Sequence, residues 1–557
     1  MSMSGVSRPA REPLDVIAEP DTSTPTFLAA GGYAFAPLPG GLRRTAKWSN
    51  PAGRVINATG PFVFPTPAAR LRRAGSSSSC AVPTVDGHSP AECILMPILR
   101  LALAASCLLF GVAASVTAAP PNVIVILADD LGYGDLACYG HPKFQTPHLD
   151  RMAAEGARLT QFNTPIPFCA PTRAALLTGR YPFRCGMPSN PAPDGGPVAD
   201  MTHLPETEIT LGQLFQKAGY ATTIVGKWHL GHARPEWLPT QRGFDSYFGI
   251  PYSNDMRPVK LFEGTRPDAE FPLDQTKLTQ RYTDRALAFI DQNRSRPFFL
   301  YLPHAMPHKP LAASDKFYKQ TQLGLYGEVI AELDAGIGQL FAKLKELRLD
   351  DNTFVLFTSD NGPWYGGSAG GLRGMKGSTY EGGHRVPCIA RWPGKIPAGN
   401  VSHELAVTMD IFPTVLKLAG IDGPPDRVID GRDLMPLFTS PTAKSEHPAM
   451  VGAQGPRLAF VRDGRWKLHV LPAKDPFLGA SQRVGPWIDP RGPDGKTILA
   501  PLEQPQPNQY PGIRTGVAAA AMQLFDLKND PAEQIDVAPE HPDVVARLKE
   551  FFDAAMK

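Results

Sequence analysis

Four runs of β-branched and aromatic residues constrain this chain more than any other feature: Asn122–Ala128, Ala221–Val225, Pro297–Leu302 and Thr353–Thr358. Each is continuous rather than alternating. That is the pattern of a strand buried on both faces, as in a parallel sheet covered by helices. Helical patterns lie between them. One begins at Pro147, capped by Thr146, with Leu149, Met152 and Ala153 on one face. Others cover Leu211–Ala218, Tyr282–Ile290 and, longest, Tyr326 to Leu347. The alternation predicts an α/β fold with a mostly parallel sheet flanked by helices. The last clear element of this part is the helical Ile411–Ala419.

Past about residue 440 the pattern changes. Leu458–Arg462 and Trp466–Val470 read as short strands joined by Asp463-Gly464, a hairpin signal. A Pro-rich stretch, about 472–516, has no periodicity. Leu524–Leu527 and a final helix from Pro542 close the chain. This predicts a smaller α+β domain with an antiparallel sheet, over 441–557, beside the larger α/β domain over 120–440.

The N-terminal part reads differently. Residues 1–95 are rich in Pro, Gly, Ser and Arg, so disorder is expected, or an upstream extension of the gene. Residues 96–119 have Arg100, an apolar run and a small-residue end at Ala118-Ala119, which describes a secretory signal peptide. Export to the periplasm or the extracellular space follows, with no stable membrane span in the mature protein. The alternative is a long leader with an internal anchor helix. The net charge of +3 over 557 residues gives no footprint for nucleic acid or membrane. Of 7 cysteines, Cys138, Cys169, Cys185 and Cys388 fall in the mature part. They show no zinc spacing and no disulfide framework; a Cys138–Cys185 bridge is the one pairing to test.

Each buried run ends in polar residues that a structural strand does not need. The endings are Asp129-Asp130, Lys227 with His229, His304 with His308, and Asp360-Asn361. In open α/β sheets ligands bind outside the carboxyl ends of the strands, so parallel strands bring these groups to one edge. Asp129, Asp130, Asp360 and Asn361 offer only oxygen. Three carboxylates together need neutralising, and an all-oxygen set suits Ca²⁺ or Mg²⁺ rather than zinc. Ordinary turn aspartates would explain one such pair; two pairs closing two buried strands favour a metal. Lys227, His229, His308 and Lys376 form the complementary set. Lys227 and His229, two apart, point the same way if the backbone is extended. Cations beside a metal imply an anionic substrate group. His304 and His384 stay undecided.

Cys169-Ala170-Pro171-Thr172-Arg173 opens a short apolar helix closed by Gly179. Cys169 is thereby expected at a helix N-terminus, where unpaired N–H groups suit an anion and lower a thiol's pKa. It is the candidate nucleophile of a divalent-cation hydrolase for an anionic ester. A thiolate is nevertheless a soft donor and a poor partner for Ca²⁺.

Cys169-Ala-Pro-Thr-Arg173 followed by Ala-Ala-Leu-Leu-Thr-Gly-Arg180 resembles the signature of the type I, formylglycine-dependent sulfatases. Supporting stretches are Ala128–Leu136, Gly226–Gly231, Gly249–Ser253, Asp360–Pro363 and Lys376–Gly383. The chain from about Asn122 onwards looks most like the arylsulfatase A group. The resemblance implies an alkaline-phosphatase-like fold with a four-stranded C-terminal domain. It implies that a maturation enzyme oxidises Cys169 to formylglycine (3-oxoalanine), whose hydrate is a hard oxygen nucleophile. Residue by residue, it implies that Asp129, Asp130, Asp360 and Asn361, with the modified Cys169, hold Ca²⁺. Arg173 steadies the nucleophile, Lys227 and Lys376 bind sulfate oxygens, His229 takes a proton, His308 serves the leaving oxygen and Ser253 hydrogen-bonds the hydrate or the sulfate. Thr172 departs mildly from the commoner Ser.

The implied reaction is hydrolysis of a sulfate monoester of a small molecule or glycan. Two other readings stay open at this point. One is a phosphatase or phosphonate monoester hydrolase of the same superfamily. The other is a sulfated-glycan-binding protein with a dead site. The leaving group is not readable, because loops line such pockets; residues 254–275, Trp364-Tyr365, His384 and 472–516 are the places to look.

Overall fold

A computed structural model describes residues 119–191, 201–256, 259–268, 273–478 and 504–556. The extension at 1–95, the leader at 96–119 apart from Ala119, and residues 479–503 of the Pro-rich stretch lie outside the described residues.

The strands in chain order are β1 (Asn122–Ala128), β2 (Ala157–Leu159), β3 (Phe162–Asn163), β4 (Ala221–Val225), β5 (Ser246–Gly249), β6 (Phe262–Glu263), β7 (Arg266–Pro267) and β8 (Phe298–Pro303). They continue with β9 (Thr353–Ser359), β10 (Cys388–Arg391), β11 (Asn400–Ser402), β12 (Ala406–Val407), β13 (Met450–Gln454), β14 (Arg457–Arg462), β15 (Trp466–His469) and β16 (Gln523–Asp526). The helices are α1 (Pro147–Glu155), α2 (Cys169–Thr178), α3 (Leu211–Lys217), α4 (Leu278–Gln292), α5 (Gly324–Glu346), α6 (Glu381–His384), α7 (Ile411–Ala419), α8 (Met435–Thr439) and α9 (Pro542–Ala555).

The main sheet runs β11-β2-β10-β9-β1-β8-β4-β5-β6-β7. Its middle, β9-β1-β8-β4-β5, is wholly parallel. β1 is the axis: Val123 faces Phe299 on β8 and Phe354 on β9. Its side chains alternate between two cores. Ile124 and Ile126 enter the one built with α1, α4 and α5; Val123, Val125 and Leu127 enter the one built with α2, α3 and α7. Each fully buried aliphatic side chain contributes about 2 kcal/mol. That explains why a seven-residue strand with nothing polar between its ends belongs at the centre. β13-β14-β15-β16 form a separate antiparallel sheet, covered by Leu548 and Phe552 of α9.

Several expectations need correction. The parallel block has a fifth strand, β5, which the sequence pattern did not indicate. β10 and β2 extend the sheet antiparallel, which the sequence pattern did not indicate. Thr146 precedes α1 but does not cap it with its side chain; its hydroxyl donates to Asp150 and accepts from Ala137 N–H instead. Cys138 and Cys185 are free thiols, because they pack into the two cores on opposite faces of the sheet.

Candidate active site

The carboxyl edge of the parallel block assembles the expected groups. β1 delivers Asp129 and Asp130, β9 delivers Asp360 and Asn361, and the loop after β4 delivers Lys227 and His229. Ser253 follows β5, and His308 follows β8. Lys376 comes from the Gly-rich loop between β9 and α6. Asp129, Asp130, Asp360 and Asn361 are all completely buried.

Cys169 occupies the first position of α2, after Phe168, and Gly179 ends the helix in the left-handed region at φ 70°. Gly179 N–H returns to Ala175 O, which satisfies an end carbonyl. The Cys169 thiol lies 3.4 Å from Asp129 Oδ1, and Lys376 Nζ lies 3.4 Å from the sulfur. The helix N-terminus does not lower this thiol. Burial first, then Asp129 and Asp360, push it well above the ordinary value, against Lys227 and Lys376. A cysteine so placed is a poor thiolate nucleophile.

Each carboxylate meets a cation. Lys227 Nζ donates to Asp129 Oδ2 and, at 3.0 Å, to Ser253 Oγ. Arg173 Nη2 is 2.8 Å from Asp360 Oδ2 and 3.3 Å from Asp129 Oδ2, and its Nη1 donates to Lys227 O. Lys376 Nζ is 2.7 Å from Asp130 Oδ1. Three carboxylates therefore face three cations, so charge balance alone does not demand a metal. Two orphan oxygens do the arguing instead. Asp130 Oδ2 and Asn361 Oδ1 are buried and have no hydrogen-bond donor among the described residues. Buried oxygens without a donor are costly, and a hard cation is the partner that fits them. Ligand atoms of Asp129, Asp130, Cys169 and His308 all lie within 4.8 Å of one another. Burial, then Asp129, pushes the Asp360 carboxyl up to about 7 against Arg173. Burial likewise raises Asp130, Asp129 adding to it against Lys376. In Asp129 the same burial cost is overcome by Lys227, Arg173 and Lys376, and its carboxyl is held below the ordinary range. The donor set thus fits a divalent cation.

His229 is buried, with φ 62°, so the stretch is not extended there as the two-residue spacing had suggested. Lys227 and His229 converge through the packing of the loop. Both His229 ring nitrogens lack a hydrogen-bond partner among the described residues. Burial and then Lys227, Arg173 and Lys376 hold its pKa far down, so the ring is neutral. His308 Nδ1 sits 2.6 Å from Lys309 O, which leaves Nε2 on the Asp130 side at 3.7 Å from Oδ2.

His229, Ser253, His308 and Lys376 line one cavity of about 350 Å³. Its outer wall brings in Phe168, Asn190, Met256, Lys309, Trp364 and Phe477. Trp364, Met256 and Phe477 fall within the stretches flagged in the sequence. Phe168, Asn190 and Lys309 do not; Phe168 and Lys309 are neighbours of Cys169 and His308, which was the available signal. Asn190 had none: its Oδ1 accepts Ala170 N–H at the start of α2, a contact set by the fold. His384 is not in this wall. Its Nδ1 pairs with Thr164 O and its ring packs on Phe460. His304 is buried in the core beside Tyr282.

A mostly parallel sheet whose carboxyl edge gathers acidic, amide and cationic groups around one buried residue at a helix N-terminus has the make-up of a hydrolase for an anionic ester. The sulfatase family model matches residues 121–421, and the chain belongs to that family; it is a sulfuric ester hydrolase. It is similar to arylsulfatase A of Bos taurus, 38% identical over 82% of this chain and 92% of that protein. It is also similar to the N-acetylgalactosamine-6-sulfatase of Homo sapiens, 44% identical over 59% of this chain and 67% of that one. Among solved structures, the PsFucS1 sulfatase from Pseudoalteromonas sp. aligns with a TM-score of 0.65 at 27% identity, over 82% of this chain and 93% of that one.

Proposed function

We propose that the chain hydrolyses a sulfate monoester of a ring alcohol, a sugar or an aryl group, through a formylglycine made from Cys169. The observation that carries this is the setting of Cys169. It is buried between Asp129 and Lys376, too poor a thiolate to act as sulfur, yet 3.4 Å from the Lys376 ammonium that lines the cavity. Formylglycine, as its hydrate, would supply a hard hydroxyl nucleophile in place of the thiol. Asp129, Asp130, Asp360, Asn361 and the modified Cys169 would hold a Ca²⁺ ion, which would supply Lewis acidity toward the sulfate.

The chain's own residues do the rest. Arg173, fixed by Asp360 and the Lys227 carbonyl, presents a rigid positive charge beside residue 169. Lys227 and Lys376 neutralise sulfate oxygens; adding a divalent cation to the balanced set of three carboxylates and three cations leaves an excess positive charge for the anion. Ser253, held by Lys227, hydrogen-bonds the hydrate or the sulfate. Neutral His229 has nitrogens without a hydrogen-bond partner among the described residues and accepts the proton whose removal releases sulfate. His308, oriented through Nδ1 by the Lys309 carbonyl, presents Nε2 to the leaving oxygen. The relatives' printed names span a hexosamine sulfate, aryl sulfates and a steryl sulfate. The cavity, walled by Phe168, Trp364 and Phe477, has room for one ring. Export through the 96–119 leader and modification by a formylglycine-generating enzyme complete the proposal.

The test is turnover of 4-nitrophenyl sulfate beside the matching phosphate, with a panel of sulfated monosaccharides. Peptide mass spectrometry follows residue 169. The aldehyde should be present, sulfate should be the better substrate, and Cys169→Ala should be inert. Higher efficiency on phosphate, or full activity in Cys169→Ala, would overturn it.

A further inference from the structure

Lys376 sits on a loop with no regular structure of its own. Residues 372–380 are Gly-rich, and Gly374 and Gly377 take φ 84° and 82°. Such a loop cannot aim a lysine by itself. Backbone bonds hold its middle, from Lys376 N–H to Pro363 O, Gly377 N–H to Pro167 O and Thr379 N–H to Lys474 O; its two ends are anchored from the far end of the chain. Glu533 lies 152 residues after Glu381 and accepts Glu381 N–H on Oε2 at 2.6 Å. Its backbone carbonyl takes Arg373 Nη1 at 2.9 Å. One residue thus holds both ends of the loop, at Arg373 and at Glu381. Its other carboxylate oxygen is fixed by His469 Nε2 at 2.8 Å and Lys467 Nζ at 3.2 Å, both on β15.

Three further facts set Glu533 apart from an ordinary ion pair. It is completely buried. It holds φ 54°, a left-handed conformation that is strained for a non-glycine residue. Its neighbour across the network, Glu381, is also completely buried and takes Arg462, Lys467 and Arg385. Burying so many charges is not an efficient route to stability. It does give a single fixed geometry, and the geometry it fixes is that of the Lys376 loop.

We propose that Glu533 is a positioning residue for the reaction: from the C-terminal part it sets the loop that aims Lys376 at residue 169 and Asp130. The assignment of Lys376 to the sulfate rests on the function proposed above. Glu533 never touches substrate; it acts through Lys376.

A double-mutant cycle on the full-length chain tests this, with inorganic sulfate as the probe, in the presence of Ca²⁺. Calorimetry gives the sulfate Kd for the wild type, Glu533→Gln, Lys376→Gln and the double variant. Turnover of 4-nitrophenyl sulfate is read in parallel. Glu533→Gln should weaken sulfate about tenfold, and should change nothing further once Lys376 is Gln. A merely structural role would give the same loss in both backgrounds, which overturns the proposal, as does unchanged sulfate binding in folded Glu533→Gln. Should Glu533→Gln not fold, Arg373→Lys removes the loop's grip on the Glu533 carbonyl and must show the same dependence on Lys376. If the wild type turns over no sulfate ester while the binding cycle shows coupling, the proposed reaction fails and the positioning role stands.

Discussion

Arg173 donates twice to one oxygen of Asp360, from Nε at 3.2 Å and from Nη2 at 2.8 Å, and both side chains are fully buried. Removing one member of such a pair leaves a charge in the interior with no partner, which costs about 3–5 kcal/mol. Arg173→Gln should therefore unfold at markedly lower urea and lose turnover together. Replacing both, Arg173→Met with Asp360→Asn, should recover much of the stability and none of the activity. A single-variant loss under about 1 kcal/mol would show that the pair is not the anchor described.

Asp130 Oδ2 and Asn361 Oδ1 predict how the protein responds to a chelator. If a hard cation holds these oxygens, EDTA should abolish turnover and lower the melting temperature. Ca²⁺ at about 100 times its Kd should restore about 2.7 kcal/mol of stability. Asn361→Leu should remove that Ca²⁺ response, because it deletes one of the two orphan oxygens. Identical melting curves with EDTA and with Ca²⁺ would refute the metal site.

Much of this arrangement was legible in the sequence, and the boundary of what was legible has a physical cause. β1, β4, β8 and β9 are buried on both faces, so their composition alone announces them. The site residues follow those strands directly, which is why Asp129, Lys227, His308 and Asp360 could be placed on one edge. β5 was not legible: Ser246, Tyr247, Phe248 and Gly249 are four residues of mixed polarity, and pairing with β4 decides their state. β2 and β10 are three and four residues long and carry even less signal. The lowered pKa expected of the Cys169 thiol fails for a related reason. Its position at a helix start is local, but its burial beside two carboxylates is tertiary, and burial outweighed the helix end. Asn190 and Glu533 act on segments far away in the chain, which no local pattern records.

His304 and His384 should govern part of the acid limb of stability. Burial holds His304 down to about 4, and burial and then Lys467 hold His384 down to about 3. Both lie below the ordinary 6.5, so the folded state binds fewer protons than the unfolded one in that range. The stability from keeping them neutral is complete above pH 6.5 and is lost as pH falls through about 4 and 3. Each is worth on the order of 3 kcal/mol. Urea midpoints measured from pH 7 to pH 4 should fall less steeply in His304→Asn and in His384→Asn than in the wild type. An acid limb of unchanged slope in both variants counts against this account.

Gly226 links strand packing to the placement of Lys227. It leaves β4 at φ 134°, and a Cβ built on it would lie 1.8 Å from Pro303 O. That same carbonyl accepts Lys227 N–H at 2.7 Å, and Gly226 N–H is bonded to Phe248 O on β5. Gly249 closes the far side, where a Cβ would lie 1.7 Å from Gly226 O. Backbone therefore meets backbone on both sides, with no flexible side chain to give way. Gly226→Ala must force β4 from β8 and turn the chain out of a conformation that suits glycine. The expected loss is on the order of 3 kcal/mol, with turnover falling further than stability explains because Lys227 moves off Asp129. Gly219→Ala is the control. It also has a positive φ, 85°, but a Cβ there meets nothing within 4 Å, so it should lose some stability to strain and keep its turnover. Similar turnover losses in the two variants would mean that crowding at Gly226 does not position Lys227.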